Sequence, residues 1–589
     1  MSKQSQHQST AIIPSFDQVF QTFTPIVRSL GWEGIALFLL FLVLLIAEHG
    51  GIGTKNRIGT ARMAGRREIL KASFEGQLQL LRPKQRKGTF YIGTPRIKGV
   101  LALVACLIGI VPTLYIPRSH RSVLVLGAPE TGKTHFFINP MIRSFLDQGV
   151  PTIIYAFKED MVAQHVAYAA DRGYKAENIH IWGPGFPYSG TLNIVETLIS
   201  DPSDTAGAQQ LAHVLNLNVN TGSSDHQNKY FQKAADSLVK TVLLLARSHY
   251  CFSDIWLSAA ILLLPDLEKR MRLAGKHEWI DLWTQISAAN LISVADAGPT
   301  AGGIVSTAQH IFSNFLNRDF LPAVCGKTTI PIEMTGKKLL IFQIDQEKQD
   351  IIGPLLAAAL HVIVKKNMAK PRSERLGVFI DEGATTKFPE AANWMNWYRQ
   401  NGLSLVMSFQ AIPQMERLYG KETTREFFTG SGTKVLFNPG DYQTCEYFSN
   451  SFGKEDVVIQ TKSNSYGKSS SRSRSEQLHQ RPLVSADEID TLDTGHCFMR
   501  NLAYRGRGHK RRIQAGLPLF LDMTKRLPKE DVEAQNKSEQ LWEKYIRDRL
   551  SARVQRNQIP LDHEAITQEL RTRQIAADSL FPPLPVSSK

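Results

Sequence analysis

A glycine-rich loop between an apolar run and a helical pattern constrains this chain more than any other feature. Residues 127–134 read GAPETGKT, which fits G-x-x-x-x-G-K-[ST] at every fixed position, and they follow the apolar run 123–125. The next segment, HFFINPMIRSFL, has the pattern of a helix. A strand, such a loop and a helix in this order form the context in which the loop cradles nucleotide phosphates. The chain is therefore expected to contain a P-loop α/β domain.

Four residues of this loop are the candidate nucleotide ligands. Gly127 and Gly132 allow the backbone N–H groups to wrap the phosphates, helped by the N-terminus of the following helix. Lys133 is expected to reach the β- and γ-phosphates of ATP, and Thr134 to hold Mg²⁺ through its hydroxyl. ATP and Mg²⁺ are therefore the expected cofactors.

Two further strand ends supply candidate catalytic side chains. The apolar run Leu376–Ile380 ends in Asp381, a candidate Mg²⁺ ligand, and Glu382, a candidate for polarising the attacking water. The run 403–407 leads to Gln410, which can hydrogen-bond the γ-phosphate or the water. In isolation, a solvated acid pair and a polar strand cap are alternative interpretations. Together with the loop, the pattern favours ATP hydrolysis over transfer to a small acceptor.

Apolar runs and helical periodicity indicate how the chain is divided. The runs 152–157, 338–344 and 434–438 predict further strands of a mostly parallel sheet. From about 193 to 323 the periodicity is helical, which predicts an all-helical domain inserted into the α/β domain. The Ser/Arg-rich stretch 461–477 is expected to be a mobile loop. The predicted division is a nucleotide-binding domain at 118–198 and 326–518, an all-α domain at 199–325 and a charged C-terminal tail at 519–589.

The first 117 residues contain two stretches compatible with lipid. Residues 1–48 are predicted to carry a transmembrane helix over the apolar stretch 34–47, and residues 49–117 to form a basic linker and a second hydrophobic segment. Residues 49–98 contain twelve Lys and Arg but only two acidic residues. Short segments with such an excess of positive charge stay on the cytoplasmic side of a membrane. One span with the N-terminus outside satisfies this rule, and 99–117 is then a membrane-surface hairpin or a buried strand pair. A second span across 99–117 stays open as the alternative.

The charge of the whole chain points to anionic partners. The formal net charge is +15 and the pI is about 9.4, which favours contact with nucleic acid or anionic lipid. A basic surface that serves solubility is the alternative. The five cysteines lie far apart without a CxxC pair, which argues against a disulfide framework and fits a reducing compartment.

The order and spacing of these segments resemble the type IV secretion coupling-protein family, the membrane-anchored ATPases of conjugation and effector export. The resemblance runs from about residue 59 to residue 499 and includes GTARMAGRREI, the nucleotide loop, FIDEGA, SFQAIPQMERLYG and RPLVSADEIDTLDTGHCFM. The chain departs from the family pattern at Met63, Ala156 and Ile194, where tryptophan, aspartate and proline are usual. No role is therefore assigned to Ala156.

This resemblance implies a fold, an assembly and partners. The fold would be a RecA-like P-loop nucleotide-binding domain with an inserted all-α domain and an N-terminal transmembrane anchor. The active state would be a homo-hexamer with an arginine from a neighbouring subunit in each site, for which Arg318, Arg417 and Arg425 are candidates. The implied partners are secretion channel components and a cargo of single-stranded DNA with its relaxase, effector proteins, or both. The implied location is the bacterial inner membrane, with the ATPase domain in the cytoplasm.

Two other functions stay open at this point. One is a DNA translocase of another type, and the other is a non-hydrolysing membrane scaffold in which nucleotide only stabilises the assembly. The sequence does not distinguish DNA from protein cargo.

Overall fold

The computed structural model describes most of the chain beyond residue 60. The described residues are 61–81, 88–93, 113–219, 226–295, 298–313, 316–465, 471–507, 513–526, 537–538, 540–543, 547–555 and 562–581. All of them belong to one unit of the chain, 59–95 with 112–589. The predicted anchor at 34–47 and most of the second hydrophobic segment lie outside the described residues.

The described strands form one large mixed sheet and three two-stranded ribbons. They are β1 (Thr89–Ile92), β2 (Leu114–Pro117), β3 (Val123–Leu126), β4 (Thr152–Ala156), β5 (Ile179–Trp182), β6 (Leu339–Gln343), β7 (Leu376–Ile380), β8 (Leu403–Phe409), β9 (Thr433–Leu436), β10 (Lys454–Ser465), β11 (Ser471–Pro482), β12 (His496–Asn501), β13 (Arg505–Arg507), β14 (Ile513–Ala515) and β15 (Pro518–Asp522). Within the described parts of the chain, the large sheet has nine strands in the order β15-β12-β9-β3-β8-β7-β4-β6-β5.

Helices cover both faces of this sheet. They are α1 (Arg66–Leu81), α2 (Asn139–Asp147), α3 (Glu159–Asp171), α4 (Ile194–Leu198), α5 (Thr205–Val219), α6 (His226–Ser248), α7 (Ile255–Leu262), α8 (Leu267–Lys276), α9 (Leu282–Ser293), α10 (Gly298–Ser313), α11 (Leu321–Val324), α12 (Gln349–Met368), α13 (Ala391–Trp397), α14 (Ile412–Tyr419), α15 (Lys421–Gly430), α16 (Tyr442–Phe452), α17 (Ala486–Asp490), α18 (Arg547–Gln555) and α19 (His563–Ser579).

The strands from β9 to β5 run parallel, and β12 and β15 close one edge antiparallel. The central strands are apolar runs, VLVL in β3 and LGVFI in β7, and every residue in them is buried. Parallel strands covered by helices on both faces have this continuous apolar pattern. The prediction of an α/β fold with a mostly parallel sheet is confirmed.

A bundle of helices interrupts the sheet between β5 and β6. The described residues between these two strands form α4 to α11, and α6 packs against α5, α7, α9 and α10. Within the described part of the chain, one helix, Gln346–Met368, is long and apolar enough to cross a membrane, but 78% of its most apolar window is buried inside the fold. This helix includes α12, which packs against α5 and joins the bundle to the sheet.

Two strands at the start of the domain bear on the segment 99–117. Its last residues form β2, which is fully buried and pairs antiparallel with β1. This end of the segment is therefore a buried strand, but its partner β1 precedes the segment, so the alternative of a strand pair within 99–117 stays a prediction. The residues of the segment before Thr113 lie outside the described part.

The prediction of a mobile loop at 461–477 is wrong for the residues of that stretch that the structure describes. β10 and β11 form an antiparallel ribbon whose register runs from Lys454↔Pro482 to Ser465↔Ser471. The run Val457-Val458-Ile459 favours an extended start, and the ladder pairs backbone groups whatever the side chains are. A composition rich in Ser and Arg therefore did not exclude strand structure.

The predicted boundary at 519 also differs from the structure, because it cuts β15, which pairs with β12. Further along, Trp542 packs edge-on against Tyr188, with ring centroids 5.1 Å apart, just beyond the opposite edge strand β5. α19 then packs against α7 of the helical bundle. The described residues of the charged C-terminal segment are thus folded onto the domain. Charge dominates its composition because only a few positions on each element are buried.

Candidate functional site

The sheet order brings the three sequence-predicted segments to one edge. β3 lies between β9 and β8, and β7 is the other neighbour of β8. The carboxyl ends of parallel strands meet at the same edge, where ligands of such folds bind. The loop after β3, the acid pair after β7 and Gln410 after β8 are therefore neighbours in space.

Both fixed glycines of the loop are required by its shape. Gly132 has φ +89°, in the left-handed region, and a Cβ there would lie 2.4 Å from the Phe136 ring. A Cβ on Gly127 would lie 2.7 Å from the Cβ of Phe437, a residue that follows β9. A side chain at either position would displace the loop backbone.

Neighbouring segments hold the loop through backbone hydrogen bonds. The Ala128 N–H donates to the carbonyl of Asn438 at 2.7 Å, and the Gly495 N–H donates to the carbonyl of Thr131 at 3.0 Å. The Thr131 hydroxyl donates to the Ala128 carbonyl at 2.7 Å. Asn438 and Gly495 have no counterpart in the loop motif, so sequence spacing gave no signal for them.

The helix after the loop begins with a π-helical turn, Lys133–Ile138, before α2. The Asn139 N–H donates to the Thr134 carbonyl five residues earlier, and Pro140 has no N–H to donate to the Phe136 carbonyl, so one α-type hydrogen bond is absent where the π turn meets α2. Single π turns of this kind occur often at functional sites.

Lys133 and Glu382 meet although 249 residues separate them. The Lys133 ammonium donates to Glu382 Oε2 at 3.2 Å and to the Gly127 carbonyl at 3.0 Å, and the residue is only 6% exposed. Glu382 has φ +57°, and its Oε1 is buried without a hydrogen-bond partner. The site therefore holds a buried ammonium and a carboxylate oxygen available to a further donor.

Thr134 and Asp381 form the second contact across the site. The Thr134 hydroxyl donates to Asp381 Oδ2 at 2.7 Å, and Asp381 Oδ1 accepts from the Ser408 hydroxyl at 2.6 Å. Among the described residues, no group of three or more His, Cys, Asp and Glu could hold a metal ion. One hydroxyl and one carboxylate fit Mg²⁺, which is usually bound through one or two carboxylates together with substrate phosphates and water.

Gln410 lies against the loop through its backbone. Its carbonyl accepts from the Gly127 N–H at 3.2 Å, and its own N–H donates to Gln414 Oε1 at 3.0 Å. The three candidate arginines, Arg318, Arg417 and Arg425, are all exposed, and Arg318 pairs with Asp319 at 3.5 Å. The structure thus brings Gln410 to the loop and leaves the three arginines at the surface.

The sheet order and the loop geometry define the class of this protein, a P-loop α/β fold of RecA type with a helical insertion. Solved structures of the conjugative coupling protein TrwB share this fold. Its N-terminally shortened form, TrwBΔN70, is 18% identical, with a TM-score of 0.54 over 80% of this chain and 95% of that chain. TrwB in complex with ADP and Mg²⁺ is 16% identical, with a TM-score of 0.52 over 82% of this chain and 98% of that chain.

Two sequence comparisons match shorter stretches. The family described as the TraM recognition site of TraD and TraG matches residues 375–494, which include the acid pair and Gln410. The conjugal transfer proteins TraG of Rhizobium radiobacter and Agrobacterium fabrum are each 36% identical over 93 residues. This match spans 15% of the chain and only 14% of the length of each relative. The resemblance to the coupling-protein family that the motifs predicted is confirmed.

Proposed function

We propose that this chain is a membrane-anchored ATPase that couples substrate to a type IV secretion channel in conjugal transfer. The observation that carries the proposal is the convergence of Lys133 on Glu382 and of Thr134 on Asp381, because it joins a phosphate-binding loop to two carboxylates. The local likeness to TraG and the fold shared with TrwB support the same function.

The proposed mechanism assigns each side chain one task. The loop amides and Lys133 bind the β- and γ-phosphates of ATP, for which Lys133 exchanges its ion pair with Glu382. Thr134 and Asp381 would hold Mg²⁺, and the ion would supply positive charge that neutralises the phosphate oxygens. Glu382, released from the ammonium, orients the attacking water and accepts its proton, so that ATP is split into ADP and phosphate. Gln410 contacts the γ-phosphate or the water.

The remaining assignments extend from this site to the whole protein. We propose a nucleotide-binding domain at 118–198 and 326–522, which now includes β15, an all-α domain at 199–325 that takes part in substrate recognition, and an anchor at 1–48 in the bacterial inner membrane. The active state is a homo-hexamer whose neighbouring subunit supplies an arginine. The cargo is single-stranded DNA with its relaxase, effector proteins, or both. The net charge of +15 supports contact with a DNA backbone.

Two substitutions test the proposed function. Lys133→Ala is expected to abolish ATP binding and hydrolysis, because it removes the ammonium that meets the phosphates. Glu382→Gln is expected to retain ATP binding and to lower kcat by roughly 10²–10⁴-fold, because an amide cannot accept the proton of the water. ATPase assays on the purified full chain and conjugal transfer between cells measure the two effects.

Glu422→Gln is the control for the same change of side chain. This glutamate is exposed and lies in the first turn of α15, not in the acid pair after β7. It should leave hydrolysis and transfer unchanged. Wild-type transfer by both Lys133→Ala and Glu382→Gln would contradict the motor and favour the non-hydrolysing scaffold.

A further inference from the structure

Ser408 is a fully buried polar residue that the mechanism above does not use. It lies near the end of β8, on the strand between the loop strand β3 and the acid-pair strand β7. It pairs in register with Val125, and the residue before it pairs with Ile380. The side chain is therefore placed between the phosphate loop and the two carboxylates.

The hydroxyl of Ser408 contacts both acidic residues. It donates to Asp381 Oδ1 at 2.6 Å and accepts from the Glu382 N–H at 3.0 Å. A hydroxyl has one proton, which goes to the carboxylate because an N–H cannot accept it. The direction of both hydrogen bonds is therefore fixed. The Ser408 carbonyl also accepts from the Gly383 N–H at 2.8 Å.

We propose that Ser408 is the positioning residue for both carboxylates, an inference that rests on the proposed ATPase function and deepens it. With Oδ1 held by the hydroxyl, the Asp381 carboxylate keeps Oδ2 turned toward Thr134, where the metal ligands meet. Hydrogen bonds to the oxygen that does not bind the metal set the orientation of ligating carboxylates.

The second hydrogen bond acts on the backbone of Glu382. This residue has φ +57°, a region that non-glycine residues enter only when their surroundings hold them there. Its N–H is fixed by the Ser408 hydroxyl and by Asp381 Oδ1, the latter at 3.1 Å. The left-handed turn directs the carboxylate toward Lys133 instead of along the strand. One hydroxyl thus sets the metal ligand and the proton acceptor together.

The experiment compares Ser408→Ala with Ser404→Ala. Ser404 lies four residues before Ser408 on the same strand and is equally buried. Its hydroxyl hydrogen-bonds to the Ser119 hydroxyl at 3.1 Å. Both substitutions remove one hydroxyl from the same buried strand. Ser408→Cys keeps the size of the side chain but offers only a weak donor.

For Ser408→Ala, kcat of the full chain is expected to fall about 10- to 100-fold and the Mg²⁺ concentration for half-maximal ATPase to rise. Binding of nucleotide in the absence of Mg²⁺ should stay at the wild-type level, because Lys133 and the loop are unchanged. Ser408→Cys should follow the alanine variant, and Ser404→Ala should follow the wild type, with melting temperatures measured alongside.

Three results would overturn the inference. They are a wild-type kcat and Mg²⁺ dependence in Ser408→Ala, an equal loss in Ser404→Ala, and wild-type kinetics in Ser408→Cys beside a defective Ser408→Ala, which would show that packing is what matters. Failure of the proposed function looks different. In that case the wild type and Glu382→Gln would hydrolyse ATP equally slowly.

Discussion

At the scale of single residues, Glu382 combines a strained backbone with an incompletely bonded side chain. Its backbone is left-handed, with φ +57°, and the Thr385 hydroxyl stabilises this conformation by donating to the Glu382 carbonyl at 2.8 Å. Its Oε1 is buried without a hydrogen-bond partner, while Oε2 accepts from Lys133. A residue kept in such a state by its neighbours is poised to exchange partners, as the proposed hydrolysis requires.

Lys434 on β9 gives a pH-dependent prediction. Burial, together with the nearby charge of Arg500, lowers the pKa of Lys434 to about 8. The unfolded chain keeps the ordinary lysine pKa of about 10.4, so it binds more protons than the folded chain between about pH 8 and 10. Stability should therefore rise with pH across this window. At pH 7 the folded state carries a buried charge that costs stability.

Lys434→Met should accordingly raise the melting temperature at pH 7 and have a much smaller effect near pH 10. Thermal unfolding at the two pH values measures the difference. Lys175→Met, at an exposed lysine, serves as the control for loss of a charge. An equal shift at both pH values would contradict the buried-charge explanation.

Sequence reasoning identified the residues whose spacing is local and missed those whose role depends on strand order. Gly127, Lys133 and Thr134 belong to one short motif, and Asp381 follows an apolar run directly. Ser408 and Gly495 reach the site only because β8 and β12 take particular places in the sheet. Nothing in a single sequence fixes that order.

At the scale of elements, one buried ion pair holds α19 on the helical bundle. The Arg573 guanidinium donates to both carboxylate oxygens of Asp254 at 2.6–3.2 Å, and both side chains are 2% exposed. Arg573 also lies over the Phe252 ring, 4.9 Å from its centroid. Asp254 in turn accepts from the Leu257 N–H and caps α7. The last described helix therefore depends on a group that also organises the bundle.

Arg573→Met should destabilise the fold by about 3–5 kcal/mol, because it leaves the buried charge of Asp254 uncompensated. Limited proteolysis should then cleave near α19 first, and denaturant unfolding measures the loss. Adding Asp254→Asn should recover part of the stability, since asparagine removes the charge and still caps α7. No recovery in the double variant would show that packing, and not charge, holds this helix.

The elements that sequence reasoning described well are those with strong periodicity. The strand predicted at Leu376–Ile380 has those limits in the structure, and the helical periodicity from about 193 to 323 corresponds to α4 to α11. The ribbon β10–β11 and the folded C-terminal segment were missed. The ribbon pairs locally in the sequence, but its Ser/Arg-rich composition is that of exposed chain. The C-terminal segment is held by distant partners, as in the contact of Trp542 with Tyr188.

At the scale of the whole molecule, the sheet and the helical bundle share one hydrophobic core. Leu124 and Ile380 of the sheet belong to the same buried cluster as Leu211 and Leu243 of the bundle. α12 connects the two parts, and its Gly353 packs closely against Thr386 in the turn after the acid pair. The bundle therefore packs directly on the sheet, and α12 contacts both the bundle and the turn after the acid pair.

The excess of positive charge predicts how DNA would bind. Single-stranded DNA should bind the full chain, with an affinity that falls along a roughly straight line when log affinity is plotted against log salt concentration, because bound phosphates release counterions. Fluorescence anisotropy with a labelled oligonucleotide measures this slope. An uncharged oligonucleotide analogue of the same sequence is the control. Absence of binding even at low salt would count against DNA as cargo and favour protein effectors.

The path of the C-terminal segment has a consequence for how it stays in place. In its described parts, it leaves the sheet at the edge strand β15, contacts Tyr188 beyond the opposite edge through Trp542, and packs α19 on α7. α19 therefore behaves as a tethered ligand, whose occupancy depends on the effective concentration that the connecting chain maintains. A single proteolytic cut between residues 526 and 562 would turn this intramolecular contact into a bimolecular one that dilution reverses.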